Sequence, residues 1–150
     1  MIFLRDPSAY HGEKNKRPFF EGWYHKLVTG DGQSLAIIPG IYRSGFNNNQ
    51  TAFIMIFDGD KGDVFYERFE VQQFSCSTSS YSLHIGSNYF SSEKIILDIE
   101  SETLTIKGQV TADNLKPWPV TLFEPGCMGW YAYVPTMECF HGILSMDHTL

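Results

Sequence analysis

The chain has 150 residues, 43% hydrophobic and 19% charged, with a formal net charge of -6. That length suits a single domain with a core of its own, and the composition is too apolar for a disordered chain. The negative balance leaves no basic face for phosphates, which excludes nucleic acid as a partner.

The first residues, Met1 to Pro7, lack a basic start and a long apolar run, so they do not read as a signal peptide. Lys14, Lys16 and Arg17 form one dense cationic patch, which reads as a solvated loop. Phe19 to Thr29 is an aromatic-rich strand closed by Gly30-Asp31-Gly32. Ser34 to Tyr42 is the next strand, with a bulge or sharp bend expected at Pro39-Gly40. Ser44 to Gln50 is a polar loop, and Thr51 to Phe57 is a continuous apolar strand. Asp58 to Asp63 is acidic, but it lacks the ligand order of an EF-hand loop and reads as a hairpin turn.

Val64 to Phe74 alternates, with Phe65, Phe69 and Val71 on one face. Ile95, Leu97 and Ile99 then pair across a turn at residues 100–102 with Leu104, Ile106 and Val110. His84, among strand residues, reads as a structural histidine. Asp113 to Pro119 is a loop held extended by its two prolines. Ile143, Leu144, Met146 and Leu150 look like one more strand, cut short, so the chain is expected to be the front part of a longer pattern.

Eight or nine short strands without crossover helices predict an all-β fold, an antiparallel barrel or sandwich, complete or cut short, as a single domain over residues 1–150. Cys76, Cys127 and Cys139 are odd in number and form no CxxC pair, so no metal site and a reducing, cytoplasmic setting are expected. No run is long enough to span a bilayer as a helix.

The stretch from Pro125 to His148 mixes Trp130, Tyr131, Tyr133 and Phe140 with Glu138, Cys139, His141, Asp147 and His148. Burying such titratable groups costs several kcal/mol unless they are paired, so the mixture reads as a ligand site or a strand with two unlike faces. Ser145, Asp147 and His148 lie close together, but no Gly-x-Ser-x-Gly elbow exposes a nucleophile.

Phe19-Phe20-Glu21-Gly22-Trp23-Tyr24-His25-Lys26, preceded by Tyr10-His11-Gly12, resembles the N-terminal signature of the tocopherol cyclase-like family. The block from Trp130 to His148 resembles a second signature, and Ile38 to Tyr42 and Phe53 to Phe57 fit between them. Two departures stand out: position 25 is His where another aromatic is expected, and the family's later Glu-Lys-Asp-Trp-Gly type motif has no counterpart.

The resemblance implies a lipocalin-like architecture and a small hydrophobic ligand of the prenylated aromatic quinol class. It also implies cyclisation by proton addition to the tail alkene. That reaction moves no electrons, so it needs no redox cofactor or metal. It does need a protonated acid, a dry pocket and aromatic faces. The resemblance offers Glu21, Glu138, His141 and Asp147 as catalytic candidates and Trp23, Tyr24, Tyr42, Trp130 and Tyr131 as substrate-binding candidates.

Each has a plainer reading. Trp23 and Tyr24 are successive and face opposite ways, so at most one points inward. Glu138 and His141 also fall on opposite faces of a regular strand. Glu21 is a candidate to anchor a loop backbone or to meet Arg17 or Lys26 in a surface pair. A non-catalytic carrier of apolar ligands and a purely structural domain therefore stand beside the enzyme reading. A homodimer, or pairing with a second barrel, is the expected assembly, because an open sheet edge invites it.

Overall fold

The computed structural model describes residues 6–13, 18–44, 49–121, 123–134, 141–145 and 147. Two antiparallel sheets face each other, and among the described residues they do not close into a barrel. The arrangement is all-β and antiparallel, as expected, and it is that of a sandwich or an incomplete barrel rather than a closed one.

The first sheet contains β1 (Phe19–Gly22), β2 (His25–Val28), β3 (Ser34–Arg43), β4 (Gln50–Asp58) and β5 (Val64–Glu70). Its order is β1-β3-β4-β5, with β2 also paired to β3. The second sheet is a meander of β6 (Phe74–Cys76), β7 (Ser82–Ile85), β8 (Asn88–Ser91), β9 (Lys94–Glu100) and β10 (Thr105–Thr111). A short 3-10 turn, Val71–Gln73, carries the chain from one sheet to the other.

Pro39 departs from expectation in an instructive way. β3 runs through it without a bulge, in one register against β4 from Leu35 opposite Asp58 to Arg43 opposite Gln50. The interruption falls on the neighbouring strand instead. Gly22 pairs with Gly40 and His25 with Ile37, so Trp23 stands opposite Pro39 without loss of register. Trp23 donates its backbone N–H to the Pro39 carbonyl at 3.0 Å, but Pro39 has no N–H to return. One missing hydrogen bond thus splits the predicted strand of residues 19–29 into β1 and β2.

Alternation builds the core between the sheets. Trp23, Ile37, Ile41, Ala52, Ile54 and Ile56 point inward from the first sheet. Leu83, Ile85, Phe90, Ile95, Leu97 and Ile99 meet them from the second. Phe65, Phe69 and Val71 pack against this core on the face their spacing predicted. Asn88 is buried at the β7–β8 turn and is satisfied there: its Nδ2 donates to the Ile85 carbonyl at 3.0 Å, and its Oδ1 accepts from the Asp98 amide at 2.9 Å.

The acidic turn at residues 58–63 is a β4–β5 hairpin, in which Asp58 accepts the Asp60 and Lys61 amides. The expected C-terminal strand is not formed over residues 141–145, which are irregular. Leu144 nevertheless packs on the core. Met146 and Leu150 lie outside the described residues, as do Lys14, Lys16 and Arg17. Among the described residues no helix is long and apolar enough to cross a membrane.

Candidate functional site

A cavity of about 1080 Å³ opens between the β1–β2 edge of the first sheet and β9–β10 of the second. Residues 141–145 and 147 close part of one side. Its position follows from alternation along one strand line: Glu21, Trp23, His25 and Leu27 are spaced by two and point inward together.

The centre of the wall is an aromatic stack. Trp23 is 6% exposed and lies against Tyr81, with ring centroids 5.5 Å apart at 20°. His25 also stacks on Tyr81, at 5.5 Å, and lies 6.0 Å from Phe90. His25 Nε2 and the Tyr81 hydroxyl are hydrogen-bonded at 2.6 Å. Burial pushes the Tyr81 phenol well above its ordinary pKa, so it stays a neutral hydroxyl.

A second polar group sits at the β1 end. Glu21 accepts the His11 backbone N–H at 3.1 Å, and its other oxygen lies 3.0 Å from His11 Nδ1. Glu21 therefore does anchor a loop backbone, but its partner is His11 rather than Lys26. The segment holding His11 straps the two sheets together. The Tyr10 amide donates to the Ser77 carbonyl at 3.1 Å beside the second sheet, and Arg43 of the first sheet donates to the Gly12 carbonyl. Glycine at position 12 allows this close approach: a Cβ there would lie 2.3 Å from the Phe19 ring and 2.5 Å from the Tyr10 hydroxyl, so those rings would have to shift.

The remaining walls are mostly apolar, with Leu27, Ile95, Val110, Leu115, Ile143 and Leu144. A short polar run from Ser91 to Lys94 borders them. Nearby, Cys76 is buried enough that its thiol pKa is pushed up to about 12, first by burial and then by the Glu21 charge. It is therefore an inert thiol at neutral pH. Among the described residues no group of three His, Cys, Asp or Glu could hold a metal ion.

The sequence candidates divide into three sets. Glu21, Trp23, Tyr24, His141 and Asp147 all border this cavity. Within that set Trp23 points in and Tyr24 is exposed, as their succession requires. Asp147 is tied to Lys116 Nζ at 2.8 Å in an exposed pair, which gives it an anchoring position at the rim. The His141 backbone amide donates to Met128 Sδ at 3.0 Å.

Tyr42, Trp130 and Tyr131 form the second set, and none is among the described residues lining the cavity. Tyr42 lies on the outer face of the first sheet. Trp130 and Tyr131 stack on each other at 4.1 Å on an exposed 3-10 turn, Gly129–Tyr133, because Gly126 and Gly129, both at positive φ, bend the chain away from a strand path. Trp130 helps line a separate depression of about 560 Å³ with Trp118, Phe123 and Pro125. Glu138, with Cys139 and the Glu138–His141 geometry, lies outside the described residues.

His25, Tyr81 and His11 are polar residues that the sequence did not offer as site candidates; His11 and His25 stood in the first signature without a role, His25 as a departure from it. The signal for His25 was present, since it shares the period-two face of Glu21 and Trp23. Tyr81 has no comparable signal, because it precedes a four-residue strand and meets His25 across the sandwich. Comparison with family models, with curated proteins and with solved structures finds no match for the chain.

Proposed function

We propose that the chain binds a hydrophobic ring-plus-tail molecule, of the prenylated aromatic quinol class, between its two sheets. The observation that carries this reading is the 1080 Å³ cavity with the Trp23–Tyr81–His25 stack in its wall. Ligand cavities commonly measure about 300–1,000 Å³, apolar with a few convergent polar groups, and this one combines both. A ring would lie against the stack, with its hydroxyls exchanging hydrogen bonds with His25 or Glu21. The tail would run over Leu27, Ile95, Val110 and Leu144.

Fluorescence tests this directly. With Trp118→Phe and Trp130→Phe in place, Trp23 is the remaining indole, and a prenylated quinone should quench it saturably. A linear, non-saturable response up to the solubility limit would remove the binding reading.

A second reading, acid-catalysed cyclisation as in the tocopherol cyclase-like family, is favoured by the Glu21–His11 pair at the cavity. The proton shared in the Glu21–His11 hydrogen bond would pass to the tail alkene. The phenol oxygen would then capture the tertiary cation, and the phenol proton would return to the carboxylate. Atoms and electrons balance as an isomerisation. Glu21→Gln should leave quenching intact and abolish chromanol formation measured by chromatography. Equal product from Glu21→Gln and the wild type would refute Glu21 as the acid.

A further inference from the structure

The outer face of the first sheet is as aromatic as its inner face. Alternation sends Phe20, Tyr24, Val28, Tyr42, Val64 and Tyr66 outward, six of the ten large hydrophobic residues exposed among the described ones. The rings are already ordered. Phe53 stacks between Phe20, at 5.8 Å and 11°, and Tyr66, at 5.5 Å and 16°. Arg68 lies 5.4 Å from the Tyr66 ring centre. Gly40 permits the arrangement, since a Cβ there would sit 2.4 Å from the Phe53 ring. Little side-chain freedom remains to be lost when a partner covers such a surface.

We propose that this face is an isologous dimer interface, covered by the same face of a second copy of the chain. Size is the first argument. Aromatic side chains carry about 150–250 Å² each, so Phe20, Tyr24, Tyr42 and Tyr66 at 46–63% exposure present roughly 450 Å² to solvent. The valines and the open parts of Ile38, Met55 and Phe57 enlarge this, and Lys26, Arg68 and Glu70 form a charged rim. The four rings alone fall within the range of about 300–600 Å² for the largest patch on a usual monomer, and these additions carry the footprint towards the roughly 800 Å² per partner of a standard stable interface.

Charge placement is the second argument, and it selects a second copy. In the sheet register Lys26, on β2, and Glu70, on β5, stand at diagonally opposite corners of the face. A two-fold axis in the interface plane, along the other diagonal, brings Lys26 of each copy to Glu70 of the other. The patch is then complementary to itself, as an isologous interface requires. Strands of the two copies cross steeply in this arrangement, the orthogonal mode of sheet packing.

Sedimentation equilibrium of the 150-residue chain tests the proposal, with the expected mass twice 17.1 kDa. Phe20→Glu with Tyr66→Glu should yield a monomer with an unchanged circular dichroism spectrum, since both residues lie on the open face, 63% and 46% exposed. Lys26→Glu and Glu70→Lys should each weaken the dimer roughly tenfold, and the double reversal should restore it. A dimer that survives the paired glutamates, or reversals that fail to rescue each other, would overturn the proposal. So would a monomeric wild type. A monomer that co-sediments with phosphatidylcholine vesicles would assign the face to a lipid surface instead.

Discussion

Two aromatic regions of this molecule have similar composition and opposite fates. Trp23, His25, Tyr81 and Phe90 sit on short strands or directly beside them and stack across the gap between sheets, largely out of water. Trp118, Phe123, Trp130 and Tyr131 lie on loops and a 3-10 turn, and Phe123 is 93% exposed. The difference is not hydrophobicity but backbone geometry. A strand delivers every second side chain to one face, so residues far apart in sequence converge. Pro117, Pro119, Gly126 and Gly129 break that delivery, and the rings there meet chiefly their sequence neighbours.

A matched pair of tryptophan substitutions breaks or confirms this contrast. Trp23→Ala should destabilise the fold by about 3–5 kcal/mol, as expected for emptying a packed aromatic site, measured by urea unfolding. Trp130→Ala belongs at the other end of the scale, within about 0.5 kcal/mol of wild type, as for an exposed side chain. Equal effects would mean that the two regions are buried alike.

Between these extremes lies Asn88→Ala, which leaves the Ile85 carbonyl and the Asp98 amide without their partner. A loss of about 1–3 kcal/mol is expected, with no change in cavity volume.

The pH response sharpens the comparison without any change in packing. Cys76 and Tyr81 have pKa values raised by burial on the sandwich side. The folded state therefore holds protons that the unfolded chain releases first. Their contribution is complete below about pH 9, the ordinary range of a thiol, and it declines as the pH rises from there towards the folded value of about 12. Stability should fall across that window, and Cys76→Ala should move the onset of the fall upward, towards the tyrosine range. A flat profile to pH 11 would show that the thiol is solvated.

Much of the fold was legible because it rests on alternation. Ile95, Leu97 and Ile99 announce their buried face, and Phe65 and Phe69 announce theirs. The second sheet's short strands β6 to β8 carry too few residues for a period to be read, and the described residues form ten strands where eight or nine were expected of the chain. Half of the candidate site was legible for the same reason. Glu21 and Trp23 lie on one strand face, so their meeting in a cavity is a statement about spacing. The His25–Tyr81 hydrogen bond spans 56 positions and depends on how one sheet sits over the other. No local pattern encodes that distance. The density of aromatic and titratable residues after Pro125 drew attention to Trp130 and Tyr131, yet the positive-φ glycines around them send both rings to the surface.

Pro39 has a kinetic consequence. Its missing N–H divides one edge of the sheet into two segments of four pairs each, β1 and β2, hinged at Trp23 and Tyr24. Either segment can part from β3 while the other stays zipped, so local opening disrupts half a strand rather than a whole one. That edge is also the cavity's rim. Under the proposed function, the exchange of a molecule through that rim would be coupled to one absent hydrogen atom, and Pro39→Ala, which supplies it, should slow release more than it alters affinity.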